Sequence, residues 1–218
     1  MSKLLVPVAL AVMVSLAGCG QTAETPTASS PSSNEAPSSM PSSEPPAAQK
    51  LLVAGTEFSI VFDDGTTETF SFASDPAVAI DALAAALDAP AAVTDVPTAH
   101  CSPASTSHEW DGIAIGTGSE WLPEGQNFVV RVTSPTAGSI SLFTGDGVAV
   151  GDSVDDALAA IDGEEVTHND YEGKAYDSVY FDIQAQSDSG TNWGGYLWGV
   201  DNVVESFSSP QWYATSDC

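Results

Sequence analysis

The sequence predicts an α+β fold made of two repeats, each a helix packed on an antiparallel sheet. Three observations carry that expectation. Apolar residues alternate at period two around glycine turns, one helix is signalled at both ends, and that helix's central phrase recurs. Asp156-Ala157-Leu158-Ala159-Ala160 echoes Asp81-Ala82-Leu83-Ala84-Ala85 at an offset of 75 residues. The folded part is expected over 51–218, with repeats at about 51–135 and 136–218.

The first element is a β-hairpin. Phe58, Ile60 and Phe62 lead into Asp63-Asp64-Gly65, and Phe70 and Phe72 lead away, so apolar positions at strand spacing flank an Asp-Gly turn. Asp75-Pro76 then offers an N-cap followed by proline at the first helical position. Ile80, Leu83 and Leu87 follow at helical spacing, and Pro90 sets a limit on the helix. A β pattern runs from Trp110 to Ile115. The second half repeats the order: a β pattern with the turn Gly145-Asp146-Gly147, a helix around Asp156-Ala157-Leu158, and a strand over Val179–Ile183.

Ahead of the folded part, Lys3 precedes an uninterrupted apolar and small stretch from Leu4 to Val14 and then Ser15-Leu16-Ala17-Gly18-Cys19. This is the layout of an export signal over residues 1–18. The run falls short of the roughly 20 apolar residues that span a bilayer as a helix. Leu16-Ala17-Gly18-Cys19 resembles the lipobox of bacterial lipoproteins, which implies a diacylglycerol thioether on Cys19 and cleavage at its amino side. Two acyl chains, at about 0.8 kcal/mol per buried CH₂, suffice for stable anchoring to membrane lipid. From 21 to 50, Pro, Ser, Ala and Thr fill 22 of 30 positions, so 19–50 reads as a lipidated cysteine and a disordered stalk. The expected location is extracytoplasmic, on the cell membrane.

With Cys19 assigned to lipid, Cys101 and Cys218 are the two remaining cysteines. In an oxidising compartment such a pair is expected to form a disulfide, which would fasten the chain end to mid-domain.

The segment from Ser141 to Leu158, with Thr144-Gly145-Asp146-Gly147-Val148-Ala149-Val150-Gly151-Asp152-Ser153 at its centre, resembles the "T-x-x-G-I-x-V-G-x-S/T" pattern ahead of a helix in actinobacterial secreted lipoproteins of unknown function. A similar pattern occurs in BamE/SmpA-type lipoproteins, and the tandem architecture resembles that of β-lactamase inhibitory protein. The resemblance to the unknown-function lipoproteins spans most of 51–218, including the mid-chain Cys101 and a terminal Thr215-x-x-Cys218. It implies a fold and an anchor. Asp88-Ala89-Pro90 replaces the glycines that follow the helix in those proteins, and no stretch matches the inhibitor's contact residues.

Charge narrows the partners. The chain carries 30 acidic residues against 4 basic ones, a net charge of −26, and 51–218 holds 27 of the acids with only Arg131 and Lys174. So negative a surface disfavours nucleic acid and anionic lipid. Solubility alone also accounts for such acidity.

Reactive constellations are scarce. His100-Cys101 and His108-Glu109 hint at a metal or thiol site, but their spacing fits no zinc pattern, and a disulfide would remove the ligand sulfur. Gly116-Thr117-Gly118-Ser119 lacks the closing glycine of a nucleophile elbow, and no phosphate-binding loop or Asp-x-Asp-x-Asp-Gly calcium loop is present. The paired acids Asp63-Asp64, Asp155-Asp156 and Glu164-Glu165 have simpler uses in turns, at a helix amino end and on the surface. No catalytic residue, metal or cofactor is implied.

The candidate ligand-binding residues are aromatic: Trp193, Tyr196 and Trp198 in one strand-like segment, and Trp212 beside Tyr213. Tyr196 and Trp198 share a sheet face. Exposed, they would stack on a sugar or grip a protein; buried, they would be core. The sequence thus points to a lipid-anchored binding or interaction module of the cell envelope, with an envelope protein or glycan as partner. The alternative is a carbohydrate-binding protein or hydrolase using the Trp-rich segment and acids.

Overall fold

In the computed structural model, residues 45–99, 103–118, 122–161, 165–185 and 192–212 are described. The chain runs β1 (Ala48–Val53), β2 (Glu57–Phe62), β3 (Thr67–Ser71), α1 (Pro76–Ala86), β4 (Ala92–Val96), β5 (Ser105–Trp110), β6 (Ile113–Thr117) and β7 (Phe128–Val132). It continues with β8 (Thr136–Ala137), β9 (Ile140–Thr144), α2 (Val154–Ala160), β10 (Glu165–Tyr171), β11 (Lys174–Ala185), β12 (Asn192–Val200) and β13 (Val203–Trp212). The first strand thus opens three residues ahead of position 51.

Local chemistry explains the elements that the sequence signals best. β2 and β3 pair antiparallel around a turn in which Gly65 sits at φ +84°. Asp64 Oδ1 accepts from the Thr66 amide at 2.9 Å and from its hydroxyl at 2.6 Å. These bonds, the hydroxyl's foremost, hold the Asp64 carboxyl below its ordinary pKa. α1 starts where Asp75 accepts from the Ala77 amide at 3.0 Å. It closes at Leu87, with Asp88 turned to φ +48°, so the helix stops before Pro90 is reached. α2 starts where Ser153 accepts from the Asp156 amide at 3.1 Å and donates to its carboxylate at 2.7 Å.

The expected α+β fold of two helix-on-sheet repeats is overturned. The described chain is dominated by strands, its two helices have 11 and 7 residues, and its sheets cross the supposed repeat boundary. One sheet is five-stranded in the order β3-β2-β1-β9-β8; the other is eight-stranded in the order β10-β11-β12-β13-β7-β6-β5-β4. β1 from the first half pairs parallel with β9 from the second, and β7 pairs antiparallel with β13 through Phe207↔Val132, Ser208↔Arg131 and Ser209↔Val130. The physical reason is the cost of open edges. Separate sheets would leave one edge each of β7 and β13 unpaired, and joining them satisfies both edges. The stretch from Trp110 to Ile115 is likewise two strands, broken at Asp111-Gly112 with Gly112 at φ +85°.

Leu51, Phe58 and Leu142 of the five-stranded sheet, Ile115, Val130, Leu197 and Phe207 of the eight-stranded sheet, and Leu83 and Ala157 of the helices belong to one buried cluster. Two hydrogen bonds tie the β1–β2 turn to the eight-stranded sheet. The Gly55 amide donates to Asp182 Oδ2 at 3.0 Å, and Ser209 Oγ donates to the Gly55 carbonyl at 3.0 Å. A Cβ at Gly55 would lie 2.4 Å from the Asp182 carbonyl oxygen, so this approach requires glycine. Three glycines of β12 serve a related purpose. At Gly195 a Cβ would meet the Phe181 ring at 2.1 Å, at Gly194 the Phe181 carbonyl oxygen at 2.7 Å, and at Gly199 Val154 of α2 at 2.4 Å.

Candidate functional site on the outer face of the eight-stranded sheet

Strand pairing defines the face that turns away from the core. One row crosses six strands in register: Tyr180, Tyr196, Ser208, Arg131, Ala114 and Glu109. At about 4.8 Å per strand this row extends over roughly 24 Å. A neighbouring row holds Ser178, Trp198 and Ser206. Alternation sends the intervening Val179, Phe181, Leu197 and Phe207 into the core, where each is fully buried.

Tyr196 and Trp198 are therefore not core residues; both are half-buried on the outer face. Their ring centroids are 6.5 Å apart with planes at 33°. Tyr176 lies 5.4 Å from Trp198, and Tyr180 lies 5.1 Å from Tyr196, which makes a continuous patch of four rings. The Tyr196 hydroxyl is 3.1 Å from Ser178 Oγ. Burial pushes its pKa above the ordinary tyrosine value, and the Ser178 hydrogen bond opposes that only in part.

Beside the rings is a shallow groove of about 350 Å³ lined by Arg131, Tyr196, Trp198, Ser206, Ser208 and Gln211. Arg131, the chain's single arginine, is exposed and forms no ion pair among the described residues, despite the 30 acids in the sequence. It also lines a second groove of about 310 Å³ with Ser107, Glu109 and Trp110. The Trp110 indole is fixed by donating to the Ala89 carbonyl at 2.9 Å. Acidic side chains are sparse here: none lines the first groove among the described residues, and the second has Glu109 alone.

Of the sequence-stated candidates, Tyr196 and Trp198 are brought together in the groove. Trp193 and Trp212 face each other across β12 and β13, beyond a bulge, and do not line it. Cys19, Cys101 and Cys218 lie outside the described residues, as do His100, Glu164 and Tyr213. His108 and Glu109 point to opposite faces of β5, since consecutive strand residues do. Sequence reasoning missed Arg131, Ser206, Ser208 and Gln211, and also Tyr176 and Tyr180. The period-two series Tyr176-Ser178-Tyr180 and the lone charge in Val129-Val130-Arg131-Val132 were the available signals. His168 and Asp177 form a close cross-strand pair at the sheet edge, with Asp177 buried and His168 exposed.

Among the described residues no group of three or more His, Cys, Asp or Glu side chains is arranged to hold a metal, and no helix is long and apolar enough to cross a membrane. The chain matches no protein-family model, no curated protein and no solved structure.

Proposed function

We propose that this chain is a lipid-anchored envelope protein whose folded part is a binding module, with the outer face of the eight-stranded sheet as its binding surface. One observation carries the reading: four aromatic rings and the only arginine share a face that the core does not use. Tyr, Trp and Arg dominate the energetics of binding surfaces: Tyr and Trp bring large contact area with few rotatable bonds, and Arg brings a planar fork of directional donors. The scarcity of carboxylates in the grooves supports binding over hydrolysis, since glycoside cleavage uses two carboxyl groups flanking one bond. The lipobox-like Leu16-Ala17-Gly18-Cys19 and the Pro/Ser-rich segment after it support an anchor and a spacer. The even pair left by Cys19 supports a Cys101–Cys218 disulfide.

A photo-crosslinking residue at Ser206, within the groove, compared with one at Val78, exposed on α1, tests the surface in living cells. Adducts are expected from position 206 and not from 78; adducts from 78 alone would contradict the assignment. Membrane fractionation of Cys19→Ser tests the anchor, with release expected and retention contradicting it.

A further inference from the structure

We propose that the groove beside Tyr196 and Trp198 is a saccharide subsite for an uncharged pyranose chain; this rests on the outer face being the binding surface and names its ligand class. At about 350 Å³ the groove lies within the ~300–1,000 Å³ of small-ligand sites. Its chemistry divides as a sugar's does. A pyranose presents a face of C–H bonds and a rim of hydroxyls. Tyr196 and Trp198 both line the groove, and the face of an aromatic ring is electron-rich toward positively polarised C–H hydrogens. Around them, Ser206 and Ser208 can donate and accept, Gln211 can donate and accept, and Arg131 only donates. A ligand that satisfies this set must itself bring both donors and acceptors around an apolar face.

Charge decides between neutral and acidic glycans. Arg131 alone would welcome a carboxylate, but a polyuronate would bring many of them to a chain of net charge −26. Uncharged hydroxyl or N-acetyl oxygens satisfy the guanidinium without that repulsion. Because Arg131 lines both grooves, a ligand longer than one ring continues from the first toward Ser107 and Glu109 of the second.

The full chain, purified from membranes in mild detergent, is titrated with cellotetraose, chitotetraose and laminaritetraose, following tryptophan fluorescence and heat. Polygalacturonate is the acidic probe. Binding of at least one neutral oligosaccharide is expected, with affinity nearly independent of salt. Trp198→Ala should weaken it about tenfold, about 1.4 kcal/mol. Trp198→Phe should restore most of it, and Trp212→Ala should leave it intact. Arg131→Ala, at an exposed position that leaves the core untouched, should weaken it several-fold. The proposal is overturned if no neutral oligosaccharide binds, if polygalacturonate alone binds, or if both Trp198→Ala and Arg131→Ala keep full affinity. Capture of an envelope protein that depends on Trp198 and Arg131, without any sugar binding, overturns the saccharide assignment while leaving the face as the binding surface. If sugar binding is absent and captured partners ignore both substitutions, both readings fail.

Discussion

At the residue scale, the outer face depends on what glycine permits on the inner one. Gly199 sits in β12 next to Trp198, and its missing side chain is the space that Val154 of α2 occupies. Gly199→Ala should therefore destabilise the fold by about 1–3 kcal/mol through overpacking against a buried, branched neighbour, read as a lower urea midpoint. Tyr196 makes a pH-dependent contribution. Its pKa is raised in the fold, chiefly by burial, so the folded state holds its proton where the unfolded chain, titrating near pH ~10, releases it. Stability from this group is full below pH ~10 and falls as pH rises through the folded value. Urea unfolding at about pH 9 and about pH 11 should show that loss, and Tyr196→Phe should reduce it. Tyr196 and Trp198 were legible as neighbours on one face. Which face that was depends on the Phe181 and Phe207 rings filling the other side, which period-two spacing alone does not reveal.

At the element scale, the sequence was most informative where a residue's effect is local. The Asp64-Gly65 turn, Asp75 with Pro76, and the start of α2 all follow from hydrogen bonds within a few residues. Asp75→Ala should lower stability by about 1 kcal/mol, and Asp75→Asn by much less, because the amide oxygen still accepts from the Ala77 N–H. Thermal unfolding of the two variants measures the difference. The Asp111-Gly112 turn is equally local, but the apolar residues on either side of it blend into one apparent strand in the sequence. Helix-like composition around 81–87 and 156–160 also overstated the helices' share of the architecture. They cover part of the core, while the sheets organise it.

At the scale of the whole molecule, pairing between distant strands decides the architecture. β7 ends about seventy residues before β13 begins, yet their ladder joins two four-stranded meanders into one sheet. No local pattern specifies that seam; it follows from satisfying backbone edges and closing the core together. The recurrence of Asp-Ala-Leu-Ala-Ala pointed correctly to two helices and wrongly to two independent sheets. The seam also accounts for the site. Arg131 comes from β7 and Ser206, Ser208 and Gln211 come from β13, so the groove exists only once these strands are joined. Arg131 was visible in the sequence as a rare charge, but its ring neighbours are brought to it solely by this long-range contact.

The most direct test of the outer face as a binding surface is quantitative capture from a solubilised envelope fraction, using the full-length chain and its Trp198→Ala/Arg131→Ala double variant, with far-UV circular dichroism confirming equal folding. Partner recovery is expected to fall by at least about tenfold in the double variant, the loss of ~1.4 kcal/mol expected of Trp198→Ala alone. Equal recovery by both proteins would contradict it.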